Sequence, residues 1–247
     1  MVNPVAFSLG PLEIRWYGII YATFFFLGIL IAARLAKKRG LSKDDIYDFA
    51  IWLIPGAVIG ARIGHVLGNL SYYIRNPFEI IAIWHGGVAL YGGIAGAALA
   101  AFIFCKKKNI KFYDIADIFV IPLAFGTIFG RIGNFINGEL YGRVTDLPWG
   151  VYFEGVQGKR HPTQIYEAIG NLVVLLTLIF LWRKNPKIGV MFWTYMGLYG
   201  IIRFFAEFLR DDRVAFFGMT LMQLLIIPVV GYSVYYILRS NKAAVTN

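Results

Sequence analysis

Seven apolar runs of about twenty residues each, near 16–35, 46–68, 85–104, 115–137, 163–182, 188–209 and 219–238, set the solvent in which this chain can fold. A run of that length, coiled as a helix, spans the roughly 30 Å hydrocarbon core of a bilayer. Composition agrees: 15% of residues are charged and 58% hydrophobic, whereas soluble domains carry about a quarter charged residues. The reading is an all-α polytopic integral membrane protein with seven transmembrane helices. No polar linker or low-complexity stretch separates the runs, so residues 1–247 read as a single membrane domain. No cleavable leader is expected, because the first run follows a short, nearly uncharged segment with no Ala-x-Ala-like site after it.

A net charge of +10 invites a nucleic-acid partner, but the placement of the charge speaks against one. The basic residues gather in short segments at the ends of the runs, where they set orientation. Alternate segments hold Arg34, Lys37, Lys38, Arg39, Lys43, Lys106, Lys107, Lys108, Lys111, Arg183, Lys184, Lys187, Arg239 and Lys242 on one side, fourteen in all. The other side holds seven: Arg15, Arg75, Arg143, Lys159, Arg160, Arg210 and Arg213. The positive-inside rule therefore puts the N-terminus outside and the C-terminus in the cytoplasm. Trp16, Tyr17, Tyr72, Tyr73, Trp149 and Tyr152 fall near the outer interface, where amphipathic rings prefer to sit. The segment at about 138–162, rich in Gly, Pro and aromatic residues, is expected to form a small extracytoplasmic cap.

Glycines crowd the start of the third run, "WHGGVALYGGIAGAALAAF". Gly92, Gly93 and Gly96 read as sites of close helix approach. Gly86-Gly87 and Gly92-Gly93 bracket Tyr91, which leaves a loop dipping into the membrane as a second reading; such backbone is tolerated only where protein or water shields it. The single cysteine, Cys105, excludes an internal disulfide and any cysteine-based cluster, and it abuts three lysines at a run's end.

Apart from Arg34 at the very end of the first run, three basic residues lie inside the runs: Arg62, Arg131 and Arg203. Each stands about six residues from the outer end of its run, roughly 9 Å below that boundary. Each costs around 3 kcal/mol at mid-membrane on the insertion scale. One reading is internal pairing with Glu139, Glu167 and Glu207, which lie at compatible heights; Glu207 is one helical turn from Arg203. The other is an anion site, since guanidinium forks match phosphate oxygens bidentately. Both hold together if the glutamates orient the arginines. No Gly-x-Ser-x-Gly elbow or His-Glu-x-x-His motif is present. His65, His85 and His161 are too scattered to read as a metal set. His85 reads as an interfacial histidine. His161, in "HPTQIYE" just before the proline that opens the fifth run, is the more interesting of the three.

The stretch "GRIGNFINGELYGR", residues 130–143, resembles the signature of the prolipoprotein diacylglyceryl transferase family. "GPLEIRWYG", "GARIG", "IWHGGVALYGG", "RHPTQIYE", "LYGIIRFFAEFLR" and "MTLMQLLIIP" resemble further blocks of that family, in its order, so the likeness covers nearly the whole chain. The resemblance implies a bacterial enzyme of the cytoplasmic membrane. It takes the diacylglyceryl group from phosphatidylglycerol and places it on the lipobox cysteine thiol of a prolipoprotein signal peptide. The products are a thioether and glycerol phosphate, and no cofactor or metal takes part. The reacting thiol then belongs to the substrate, which accounts for the position of Cys105. By the same resemblance Arg131 and Arg203 bind phosphate, Arg62 falls in a matching block, and Asn134, Glu139 and Gly142 form the signature core. Tyr17, Tyr199, Glu207 and Arg210 match further important positions. Many members carry a histidine where this chain has Tyr91, and that histidine is the proposed base. A phenol, with an ordinary pKa of about 10, is a poor base at neutral pH. The base is then His161, Tyr91 activated by arginine neighbours, or neither, with the thiol activated electrostatically.

A transporter of an organic anion or anionic lipid is the rival from another class, since intramembrane arginines and broken, glycine-rich spans suit transport. Seven unequal runs without a clear repeat count against it. A retinal-type receptor would need a lysine inside the last run, and 219–238 has none.

Overall fold

The computed structural model describes residues 5–9, 12–210 and 216–242. Helices stand over all seven apolar runs. In chain order they are α1 (Trp16–Leu35), α2 (Lys43–Gly68), the short α3 (Leu70–Arg75), α4 (Leu90–Lys108), α5 (Phe112–Ile136), α6 (Thr163–Arg183), α7 (Val190–Glu207) and α8 (Leu221–Lys242). Six of these are long and apolar enough to cross a membrane; α7, which carries Arg203 and Glu207, is not among the six. A two-stranded antiparallel hairpin, β1 (Val5–Leu9) with β2 (Leu12–Arg15), leads directly into α1. Nothing in the apolar pattern foretold it. The chain divides into two compact units: residues 33–115, and residues 1–32 together with 116–247.

In the 33–115 unit, α2 starts at a capping box. The Ser42 hydroxyl accepts from the Asp45 amide at 3.1 Å, and the Asp45 carboxylate accepts from the Ser42 amide at 2.9 Å. Helix α2 then packs along α4 through small residues. A Cβ on Gly60 would meet the Gly96 Cα at 2.7 Å, and one on Gly64 would meet the Gly92 Cα at 2.9 Å. Gly56, Gly60 and Gly64 thus face Gly92, Gly96 and Ala100 at four-residue spacing, the pattern that lets two backbones touch where lipid supplies no hydrophobic drive. Close packing is therefore the role of Gly92 and Gly96. The residues before α4 are different: 77–89 hold only short 3-10 turns, with φ of +85° at Gly86 and +82° at Gly87.

In the other unit, Phe24 of α1 stacks on Phe129 of α5 with ring centroids 3.7 Å apart. Helix α6 buries one continuous stripe, Gln164, Glu167, Asn171, Val174 and Leu178, at the i, i+3, i+7 spacing of a helix face. Asp117, fully buried on α5, accepts from the backbone amides of Gly189 at 2.8 Å and Phe192 at 2.9 Å. A carboxylate from one helix thereby caps the N-terminus of another, neutralising its unpaired amides and its dipole.

Candidate active site

The end of α5 is where the signature stretch leaves helical geometry. After Ile136 the chain turns at Gly138, with φ +68°, and again at Leu140, with φ +59°. The next residues run extended between two partners: the Gly142 amide donates to the His161 carbonyl and the Arg143 amide to the Leu209 carbonyl, both at 2.8 Å. A Cβ on Gly142 would come within 2.8 Å of both His161 Cβ and Thr163 Cγ2, so only glycine passes through this gap. The start of α6 holds the same turn from the side. Thr163 Oγ1 donates to the Leu140 carbonyl at 2.8 Å, and Gln164 Nε2 donates to that of Glu139. The signature therefore clasps the start of α6 to the end of α7.

Beneath this clasp lies a buried ion cluster. Glu167, 1% exposed, receives Arg131 Nη2 at 2.7 Å, Arg210 Nη1 at 3.5 Å and Arg203 Nη1 at 4.0 Å. Arg203 Nη2 also meets Glu207 at 2.6 Å, one turn along its own helix, and Glu207 accepts from the Thr220 hydroxyl at 2.9 Å. Neither Glu167 oxygen receives an aligned hydrogen bond, so the attraction there is Coulombic rather than directional. Arg131 spends one nitrogen on Glu167, and the buried Nη1 of Arg203 has no hydrogen-bond partner among the described residues. A guanidinium can hold an anion through two parallel N–H donors.

Asn134 is buried, and its amide donates to Glu139 at 3.5 Å; Asn137 donates to the same carboxylate at 3.3 Å. Glu139 thus takes amides and, among the described residues, no arginine. Tyr199 stacks on the buried Tyr195 with centroids 5.6 Å apart. The Tyr17 side chain lies outside the described residues.

The cap, 138–162, is a small irregular fold tied by bridges between Val144 and Arg160 and between Val151 and Arg160. His161 closes it. Its Nδ1 lies 3.4 Å from the Tyr166 hydroxyl, which accepts from Trp149 Nε1 at 2.8 Å. Burial and the nearby Arg143 charge push the His161 pKa below its ordinary 6.5, so the imidazole is neutral at physiological pH.

Arg62 and Tyr91 belong to the 33–115 unit. Arg62 is buried and spends its guanidinium on backbone carbonyls: Nε on Ile80 at 2.9 Å, Nη1 on Gly87 at 2.9 Å and on Gly86, and Nη2 on Ala82 at 3.2 Å and on Glu79. With every nitrogen engaged, this arginine ties the 79–87 loop together. Tyr91, in the first turn of α4, is 68% exposed. His85 pairs instead with Glu79 at 2.9 Å.

Glu167 is the centre that sequence reasoning treated only as a counter-charge. Its signal was present in the i, i+3, i+7 polar stripe Gln164, Glu167 and Asn171 on an otherwise apolar helix. The Trp149–Tyr166–His161 chain had no such signal, because it joins a cap residue to a helix across seventeen positions.

The chain is a multi-pass helical membrane protein in which part-buried arginines from separate helices gather on one buried carboxylate. Over residues 4–239 the chain matches the prolipoprotein diacylglyceryl transferase family, and it belongs to that family. It is similar to proteins named phosphatidylglycerol–prolipoprotein diacylglyceryl transferase from several bacteria. The one from Finegoldia magna is 41% identical over 93% of this chain and 92% of its own length. Those from Geobacter sulfurreducens and Clostridioides difficile are 44% identical over 85% and 83%, and 42% identical over 98% and 97%, respectively.

Proposed function

We propose that this chain transfers the diacylglyceryl group of phosphatidylglycerol to the lipobox cysteine thiol of a prolipoprotein signal peptide, at the outer leaflet of the bacterial cytoplasmic membrane. The thiol sulfur attacks the glyceryl carbon that carries the phosphate. A carbon–sulfur bond forms, the carbon–oxygen bond breaks, and glycerol phosphate leaves with the electron pair while the thiol proton passes to a base or to water. The carrying observation is the pair Arg131 and Arg203, brought from α5 and α7 to one buried glutamate. Such donors hold a head-group phosphate and stabilise it as it departs.

In this reading Arg131 and Arg203 form the clamp, and Glu167, Glu207 and Arg210 hold it in place. Asn134 and Glu139 shape the turn above it, Gly142 lets the clasp close, Tyr199 flanks the lipid, and Tyr17 is assigned to phosphatidylglycerol binding by the family resemblance alone. His161 and Tyr91 are the candidate acceptors of the thiol proton. Arg62 serves as a loop anchor. The chain crosses the membrane seven times, α7 included, with the N-terminus outside, the cap 138–162 facing the signal peptide, and residues 1–247 acting as one domain. The test is incubation of purified protein in phosphatidylglycerol vesicles with a lipobox peptide. Glycerol phosphate release matched by thioether formation is expected. Movement of intact lipid or an organic anion without release would assign the cluster to transport instead.

A further inference from the structure

The two hydrogen bonds beside His161 fix more than its position. An indole N–H can only donate, so the Tyr166 oxygen, 2.8 Å from Trp149 Nε1, is an acceptor in that bond. Turned toward His161 Nδ1, 3.4 Å away, the phenol's own hydrogen meets the acceptor that the described residues offer it. A neutral imidazole that accepts at Nδ1 carries its proton on Nε2.

We propose that Trp149 and Tyr166 are positioning residues that hold His161 as the Nε2–H tautomer, so that His161 donates a hydrogen bond to an oxygen of the anionic head group and does not take the thiol proton. All three residues lie in or beside the cap: Trp149 within it, His161 at its last turn and Tyr166 in the first turn of α6. Folding of the cap therefore sets the tautomer. The clasp ties the His161 backbone to the segment that leads into the ion cluster, since its carbonyl takes the Gly142 amide and the neighbouring Arg143 amide reaches the Leu209 carbonyl, one residue before Arg210. Protonating the ring at Nδ1 would reverse the phenol bond, desolvate a cation and set it near Arg143, which agrees with the lowered basicity of this group. The task assigned to the donor rests on the transferase reading above; the tautomer does not.

The experiment uses full-length protein in lipid nanodiscs, labelled with nitrogen-15 histidine. The chain has only three histidines, and the His161 signals are those lost in His161→Gln. The expected wild-type spectrum at neutral pH shows a protonated Nε2 and a bare Nδ1. Tyr166→Phe, which keeps the ring and removes the hydroxyl, should convert this to a mixture of tautomers. Activity supplies the second arm. Glutamine keeps an N–H donor but is no base, so His161→Gln should stay within about tenfold of wild type while His161→Leu falls further. Loss of a general base costs about 10²–10⁴ in rate; folded His161→Gln losing that much, or a wild-type Nδ1–H tautomer, overturns the proposal. Absence of transfer by wild-type protein would refute the transferase reading and leave the tautomer result standing.

Discussion

Arg131 and Arg203 lean on one carboxylate, which poses a question of role that charge alone does not answer. A guanidinium kept only to neutralise Glu167 or Glu207 could be exchanged for an ammonium at little cost in function. A guanidinium kept for its fork could not, because lysine retains the charge but loses the planar donor geometry. Arg131→Lys and Arg203→Lys are therefore expected to keep wild-type thermal stability and to lose about 10²–10³ in turnover, the usual effect of removing one transition-state donor. Glycerol phosphate release and melting, recorded on the same purified samples, separate the outcomes. Wild-type turnover in both variants would return the arginines to a structural role. Of this cluster, the Arg203–Glu207 pair was legible from the sequence, because one helical turn separates the two residues whatever the rest of the fold does. Arg62 shows the opposite. From the sequence it shared a depth with the other two arginines. Which acceptors fill its donors depends on how residues 79–87 fold back, and no local pattern carries that information.

At the scale of elements, helix contacts rest on two devices with different legibility. The α2–α4 contact is written in the spacing of Gly56, Gly60 and Gly64 against Gly92 and Gly96, so the third run's glycines read as packing sites from the amino-acid sequence alone. The Asp117 cap of α7 could not be read, because it links positions 72 and 75 residues apart and an isolated aspartate in an apolar run gives no direction. The clasp through Gly142 was hidden for the same reason. Gly60→Val tests the first device. Its added methyl groups would enter space held by the Gly92 carbonyl and Gly96 backbone, and overpacking of this kind costs about 1–3 kcal/mol. A lowered melting temperature in detergent is expected, with turnover per folded molecule near wild type, because the zipper packs helices and carries no polar group. An unchanged melting temperature would mean that the two helices move apart at no cost.

For the whole molecule, the remaining question is which way the chain faces, and that is a matter of charge distribution rather than contacts. The fourteen-to-seven basic asymmetry predicts a cytoplasmic α4–α5 turn, with Lys106, Lys107, Lys108 and Lys111. Under the proposed orientation the cap and the arginine cluster would face the outer leaflet, the side from which the thiol of an exported precursor would come. Orientation and mechanism thus stand together: if the α4–α5 turn were outside, the cluster would face the wrong compartment. A single reporter thiol decides it. Cys105→Ser removes the only native cysteine and, because the attacking sulfur belongs to the substrate, should leave turnover nearly intact. Lys108→Cys placed on that background gives up an exposed ion pair to Asp48 at 2.7 Å, a contact that solvent and salt screen. In intact cells a membrane-impermeant maleimide should leave position 108 unlabelled, and opening the inner membrane should expose it. Labelling from outside would reverse the orientation and, with it, the assignment of the arginine cluster to chemistry at the outer leaflet.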